Sequence, residues 1–182
     1  DAGRAASVGD DGTSIGDRNA PTASYAALTP EFHQKADGKW VGGMFWDGRA
    51  AGLEAQAGGP PLNPVEMGMP SEQAVVDRLM ENPDYVTAMK TLFSEAIFAD
   101  PAQAFAAMTR ALAAFEQTEV FAPFDSKYDR FLRGDYTLSR DEELGRLLFF
   151  SEQFTNCATC HQLKTSLMDP RETFTNYEYF NI

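Results

Sequence analysis

The sequence predicts an all-α protein in which long irregular loops join the helices and which contains parts of two domains. After residue 70, several segments begin with a helix-capping residue and continue with apolar side chains at helical spacing. No segment shows the period-two alternation that is typical of a half-buried strand. Residues 1–30 and 37–70 are instead rich in Gly, Pro, Asp and Ser, which predicts loops.

Start signals define the predicted helices. The clearest are Asp100-Pro101, where a capping residue precedes a proline of the first turn, and the capping box of Ser139 and Glu142. A further short helical turn fits residues 50–57. The predicted helices cover residues 71–80, 83–93, 101–115, 126–132 and 140–150.

The irregular stretch at 37–70 is interrupted by Gly and Pro throughout. Structureless segments of this length are uncommon in a compact domain and are normally functional or wrapped around another group. We therefore expect this segment to wrap a cofactor. A later break in the apolar pattern predicts a domain boundary near residues 122–137.

The charge of the chain restricts its partners. Lys and Arg total 15 against 27 Asp and Glu, which gives a net charge of −12. Nucleic acid is not an expected partner, because its phosphates require a basic surface. An acidic surface would attract a small basic protein, although it can equally serve only to keep the protein in solution. No apolar run approaches the roughly 18–20 residues that span a bilayer, so no membrane span is expected.

The only two cysteines lie in the motif Cys157-Ala158-Thr159-Cys160-His161. This spacing on a helical turn puts both sulfur atoms on one side, where they can form thioethers to the vinyl groups of one haem. The imidazole of His161 can then bind the haem iron. The motif predicts one covalent haem c, and hence cytochrome-c-like helical domains whose long irregular loops wrap haem. Because bacteria attach this haem outside the cytoplasm, we expect a periplasmic protein.

Other uses of the two cysteines are less well supported. A zinc site needs about four ligands, and His33 is the only other Cys or His in the chain. A thioredoxin-like pair would lie in a βαβ unit rather than among helices. A plain disulfide stays open, although it would leave His161 without a role. Met168 is too close in sequence to His161 to reach the opposite face of the haem, so we expect it in the core. We expect His33 at the surface and a sixth iron ligand from outside this chain.

Several segments resemble bacterial di-haem cytochrome c peroxidases and their MauG-type relatives. The most specific is the block at 45–50, Phe-Trp-Asp-Gly-Arg-Ala, with Gln56, Pro60 and Glu66 downstream. The resemblance covers nearly the whole chain in order. Its other parts are residues 18–22, 144–150 and 174–182.

The resemblance implies an internal segment of a longer polypeptide that carries two haems. The motif at 157–161 matches the second attachment site, which bears the electron-transfer haem, and the first site is expected before residue 1. Residues 1–123 would then form most of the peroxidatic domain. Residues 124–182 would begin the electron-transfer domain.

The same resemblance implies roles for five residues. Glu66 would be the acid–base group of the peroxide pocket, with Gln56 beside it and Pro60 shaping the floor. Trp46 resembles the tryptophan that passes electrons between the haems, and Asn19 resembles a ligand of a calcium ion between the domains. A solvated carboxylate, a packed ring and a turn asparagine are the ordinary alternatives for Glu66, Trp46 and Asn19.

The loop at 7–17 departs from part of the family, because some members hold a histidine there that ligates the peroxidatic iron until reduction releases it. This loop contains no histidine. The departure favours a peroxidatic haem that is always open, as in MauG.

The resemblance implies a periplasmic enzyme, an oxidoreductase, that reduces hydrogen peroxide to water. Its electrons would come from a small cytochrome c or cupredoxin. A homodimer is a possible oligomeric state. One alternative is a MauG-like di-haem oxidase that modifies residues of a partner protein. Another is a non-enzymatic c-type electron carrier with a single haem.

Overall fold

The computed structural model describes Gly3, residues 5–163 and residues 171–180. These residues are mainly helical, which confirms the predicted fold class. The α-helices are α1 (Leu53–Ala57), α2 (Gly59–Leu62), α3 (Glu72–Met80), α4 (Pro83–Leu92), α5 (Pro101–Glu116), α6 (Lys127–Leu132) and α7 (Arg140–Phe149). Short 3-10 helices cover Ala26–Leu28, Ile97–Ala99, Glu119–Phe121 and Cys157–Thr159.

Capping side chains start the helices where the sequence predicts. The Asp100 carboxylate accepts the first free N–H groups of α5. Ser139 and Glu142 form a capping box at α7, and Ser126 and Asp129 form another at α6. Since each cap contributes about 1 kcal/mol, these helix starts are set by interactions within a few residues of sequence.

The core lies where α3, α4 and α5 meet. Its centre is formed by Val76 on α3 and by Ala104 and Ala107 on α5, which are almost completely shielded from solvent. The small alanine side chains let α3 approach the backbone of α5 closely, and Phe105 fills the space beside them. Helix α1, which carries Gln56, packs against α5, and Leu62 at the end of α2 packs against this core.

The sequence did not predict two elements. Helix α2 contains Pro60 and Pro61, but both lie in its first turn, where the N–H group has no helical partner and proline is tolerated. Strands β1 (His33–Gln34) and β2 (Trp40–Val41) form an antiparallel hairpin. With two residues in each strand, no alternation exists for the sequence pattern to reveal.

Residues 177–179 pack along this hairpin and join distant parts of the chain. The N–H of Gly42 donates to the Tyr177 carbonyl at 3.0 Å, and the N–H of Tyr179 donates to the Trp40 carbonyl at 3.1 Å. Between them the Glu178 side chain is only 5% exposed and pairs with two lysines, Lys35 at 2.7 Å and Lys39 at 2.9 Å. Residues 177–179, which lie downstream of the Cys-x-x-Cys-His motif, are therefore fixed to the hairpin that precedes the loop carrying Trp46.

Candidate functional site

A cleft of about 700 Å³ lies between the loop at 7–21, the loop at 45–49 and the segment at 60–67. Its walls include four of the predicted site residues, namely Asn19, Trp46, Pro60 and Glu66. These residues come from segments up to 47 positions apart in sequence, from 19 to 66, so the fold assembles the site. The volume lies in the range of pockets that bind small molecules and cofactors.

Glu66 occupies the turn that follows α2 and is half-buried. Its Oε1 accepts a hydrogen bond from Nδ2 of Asn63 at 2.8 Å. Its main-chain carbonyl accepts from the N–H of Asp10 at 2.7 Å. Glu66 is therefore held through both its side chain and its backbone. The sequence analysis gave no role to Asn63, whose only signal is its place between a proline pair and Pro64.

The loop at 7–17 forms one side of the cleft and is folded upon itself. Val8 and Ile15 form an isolated antiparallel bridge, and the N–H of Gly9 donates to the Ser14 carbonyl at 2.8 Å. The side-chain hydroxyl of Ser14 donates to Asp11, and with main-chain donors of this turn it lowers the pKa of Asp11 to about 2. The loop is thus a small closed turn that rests on the Glu66 segment.

Trp46 is held at the opposite side of the cleft. Its indole N–H donates to the main-chain carbonyl of Asn19 at 2.8 Å, and the residue remains 60% exposed. Asp47, next in sequence, pairs with Arg18 at 3.0 Å and Arg49 at 2.9 Å. Burial raises the pKa of the Asp47 carboxyl, but the bonds from the two arginines outweigh it and lower the pKa overall. The loops at 18–19 and 45–49 are therefore joined around Trp46.

Gln56 is the predicted site residue that the structure does not place among the residues lining the cleft. It lies on α1 and is half-buried. Its assignment as a neighbour of Glu66 remains a prediction.

The Cys-x-x-Cys-His motif folds as the 3-10 turn Cys157–Thr159, entered through Asn156 in the left-handed region. The sulfur atoms of Cys157 and Cys160 are not bonded to each other. The N–H of His161 donates to the Cys157 carbonyl at 2.9 Å, which holds the histidine against the turn. Cys157, Cys160 and His161 thus lie within or directly after one short turn, and their role as haem ligands remains a prediction.

The imidazole of His161 is oriented by Phe174. Its Nδ1 lies 3.1 Å from the Phe174 carbonyl oxygen. Because a carbonyl can only accept, Nδ1 carries the hydrogen, and in the neutral ring the lone pair of Nε2 is then available to a metal. Phe174 has a φ of 53°, a left-handed conformation that is costly for an aromatic residue and that directs this carbonyl. The sequence analysis assigned Phe174 no role, since no sequence signal marks this backbone conformation at a residue other than Gly.

The remaining sequence predictions concern single residues. His33 lies exposed in β1, as predicted. Met168 is outside the described residues. No cluster of three or more His, Cys, Asp or Glu side chains that could hold a metal ion occurs within the described ranges. No helix in the same ranges is long and apolar enough to cross a membrane.

Comparison with known proteins identifies the relatives of the chain. The model of the family described as di-haem cytochrome c peroxidase matches residues 1–137, which is more than half of the chain. The methylamine utilization protein MauG of Paracoccus denitrificans (strain Pd 1222) is 52% identical over 181 residues, or 100% of this chain and 46% of MauG. The cytochrome c peroxidase Ccp of Escherichia coli (strain K12) is 38% identical over 160 residues, or 87% of this chain and 29% of that protein.

The described fold is also that of a solved di-haem peroxidase. The structure of BthA from Burkholderia thailandensis E264 superposes with a TM-score of 0.87 at 29% sequence identity, over 96% of this chain and 42% of that chain. The chain thus spans less than half the length of each of these three relatives. Since the family model, the relatives and the fold agree, the chain belongs to the di-haem cytochrome c peroxidase family.

Proposed function

We propose that Cys157, Cys160 and His161 hold a covalent haem c. The donor set fits this group, because two free thiols and an imidazole with an available Nε2 lie in one turn. An aromatic ring lies beside the imidazole. Phe149 lies 5.6 Å from the His161 ring and 6.5 Å from Phe174, which supplies an apolar environment for a porphyrin. Mass spectrometry of the acid-denatured protein is expected to show the peptide that contains this motif carrying a haem.

We further propose that the protein reduces hydrogen peroxide to water with electrons from a small cytochrome c or cupredoxin. The observation that carries this proposal is the cleft that brings Glu66, Pro60 and Trp46 together. A second haem bound at this cleft would supply the redox chemistry. The overall reaction consumes one peroxide, two electrons and two protons and yields two molecules of water.

We propose that Glu66 is the carboxylate of the cleft that moves the proton. Cleavage of the O–O bond requires a proton to leave one peroxide oxygen and to reach the other, so that the departing oxygen leaves as water. A single carboxylate within hydrogen-bond reach of both oxygens can perform both transfers. The bonds that fix Glu66 from Asn63 and Asp10 give it the defined position that such a group needs.

We propose that Trp46 carries electrons between the cleft and the haem on His161. The indole N–H bond to Asn19 fixes the ring, while the ring's exposure leaves it open to contact with a cofactor. Asn19, at the same junction, is proposed to contribute to a calcium site between the two domains. We place these domains at residues 1–123 and 124–182, and the whole protein in the periplasm, where haem c is attached.

A MauG-like oxidase that modifies residues of a partner protein is the second candidate. The 52% identity to MauG and the loop at 7–17, which lacks a histidine, favour it. Turnover of the full-length protein decides between the two. A peroxidase consumes peroxide rapidly with a reduced small cytochrome as donor. A MauG-like oxidase is slow with that donor and instead leaves oxidised side chains on a protein substrate.

A further inference from the structure

We propose that Asn63 is a positioning residue that determines which oxygen of Glu66 exchanges the proton. The inference rests on the proposed role of Glu66 in peroxide cleavage and adds to it. The proton is taken up and released at Oε2 of Glu66, and the side-chain amide of Asn63 is the reason that Oε2 rather than Oε1 does so.

Asn63 follows the last residue of α2. Its main-chain carbonyl and both polar atoms of its side chain bond to the turn that carries Glu66. Its main-chain carbonyl accepts from the N–H groups of Glu66 at 3.0 Å and Gly68 at 2.9 Å. Its side-chain Oδ1 accepts from the N–H of Val65 at 3.2 Å. Its side-chain Nδ2 donates to Oε1 of Glu66 at 2.8 Å.

These contacts leave only one orientation of the Asn63 amide. The N–H of Val65 can only donate, so it requires Oδ1 on its side. The NH₂ group must then face the Glu66 carboxylate, where it meets an acceptor. The reversed amide would place two donors together at Val65 and two acceptors together at Glu66. Both the turn and the carboxylate therefore fix the orientation of the amide.

The consequence for Glu66 concerns its two oxygens. An amide N–H can only donate, so Oε1 has to remain an acceptor whether the carboxyl is ionised or protonated. The proton is thus taken up and released at Oε2. Asn63 also prevents rotation of the carboxyl group, which would exchange the two oxygens. The group that moves the proton is oriented before peroxide arrives.

The substitution Asn63→Asp tests this role with little change in shape. An aspartate can still accept from the N–H of Val65 and keep the turn, but it has no donor for Glu66 Oε1. Asn82 offers a matched control, because it also precedes a proline and accepts from the N–H two residues later, that of Asp84, at 2.9 Å. Asn82→Asp makes the same chemical change at α4, away from the cleft.

One measurement is the rate of peroxide cleavage by the full-length protein with both haems bound. The other, made without peroxide, is the infrared C=O band of the protonated Glu66 carboxyl, which should shift in Asn63→Asp and Asn63→Ala but not in Asn82→Asp, because only the first two lose the bond to Oε1; an unshifted band in both Asn63 variants contradicts the proposal. We expect Asn63→Asp to lower the rate of peroxide cleavage by about 10- to 100-fold, as a misplaced reacting group does. We expect Asn82→Asp to leave it unchanged. Asn63→Ala, which introduces no charge beside Glu66, is the second variant and should show the same direction of change.

A double variant separates positioning from a general structural role. If Asn63 acts through the proton of Glu66, Asn63→Asp should cost no more than about twofold in a Glu66→Gln background, because the two residues act as one unit. An equal loss in both backgrounds, or a wild-type rate in Asn63→Asp and Asn63→Ala, overturns the proposal while Glu66→Gln remains slow. A fast Glu66→Gln protein would instead overturn the proposed function itself.

Discussion

The contact between the loop at 7–17 and the Glu66 segment predicts an effect of a single methyl group. A Cβ atom on Gly9 would lie 2.6 Å from the Val65 carbonyl oxygen, 3.1 Å from its carbon and 3.2 Å from the Glu66 oxygen. All three atoms belong to the backbone, so no side chain can rotate to make room. Gly9→Ala should therefore push the loop and the Glu66 segment apart.

The distances give the size of the effect. Ordinary contact begins at 3.4 Å, so the two segments must separate by about 0.8 Å. Overpacking of this kind costs roughly 1–3 kcal/mol. Gly9 does not adopt a positive φ, so alanine fits its backbone conformation and also restricts the unfolded chain. This restriction offsets about 0.4–1 kcal/mol of the loss in the free energy of unfolding. We expect a net loss of about 1–2 kcal/mol in the free energy of unfolding. A displacement near 1 Å at Glu66 should slow peroxide cleavage by about 10- to 100-fold.

Gly16 supplies the control within the same loop. A Cβ there would lie 3.5 Å from its nearest neighbour, the Arg18 carbonyl, which is ordinary contact. Gly16→Ala should be neutral or slightly stabilising and should leave the rate of peroxide cleavage unchanged. Urea denaturation and stopped-flow mixing with peroxide measure both quantities. Equal stability and equal rates in Gly9→Ala and Gly16→Ala would refute the proposed contact between loop and cleft.

Three further predictions concern other parts of the chain. Trp46→Phe keeps an aromatic ring but removes the N–H that donates to Asn19. It should slow electron transfer between the haems and leave the rate of peroxide cleavage unchanged. If the haem on His161 is reoxidised at the same rate in the variant and in the wild type, this prediction is contradicted. The hydrogen bond from Lys127, with those from Ser139 and Tyr136, lowers the pKa of Glu142 from 4.5 to about 2. The pKa of Glu142 is lower in the folded than in the unfolded protein, so the bonds of its carboxylate stabilise the fold above pH 4.5 and this stabilisation is lost as the pH falls towards 2. Between pH 4.5 and 2, the urea midpoint of Glu142→Gln should therefore fall less than that of the wild type. Excess chelator should lower activity if calcium binds at Asn19, whereas full activity in chelator, with no metal found by elemental analysis, would contradict the calcium proposal.

Sequence patterns predicted the parts of the fold that depend on neighbouring residues. The starts of α5, α6 and α7 follow from caps such as Asp100 and Ser139, which bind N–H groups two or three residues away. The hairpin of β1 and β2 carries no such signal, because strands of two residues are too short to show an alternation, and its contact with residues 177–179 is long-range. Helix α2 carries no helical pattern either, because it has only 4 residues and two of them are prolines, which its first turn tolerates.

The candidate site likewise contains residues that a local sequence pattern predicts and contacts that only the fold shows. The residue types and spacing of Cys157, Cys160 and His161 indicate their chemistry directly. Glu66 and Trp46 could be singled out only by family resemblance, since a lone carboxylate or indole carries no local signal. The contacts that orient the site, through Asn63 and Phe174, became visible only in the fold, because an amide orientation and a left-handed backbone have no sequence pattern.

The rate of peroxide cleavage in Glu66→Gln tests the central claim most directly. Glutamine keeps the shape of the side chain and an acceptor oxygen for Nδ2 of Asn63, but it cannot take up and release the proton. Full-length protein with both haems is mixed with one equivalent of peroxide in a stopped-flow spectrometer. We predict cleavage slowed by about 10²- to 10⁴-fold, with unchanged reduction of the haem on His161 by the donor. Cleavage at the wild-type rate would contradict the assignment of Glu66 and, with it, the proposed peroxidase function of the cleft.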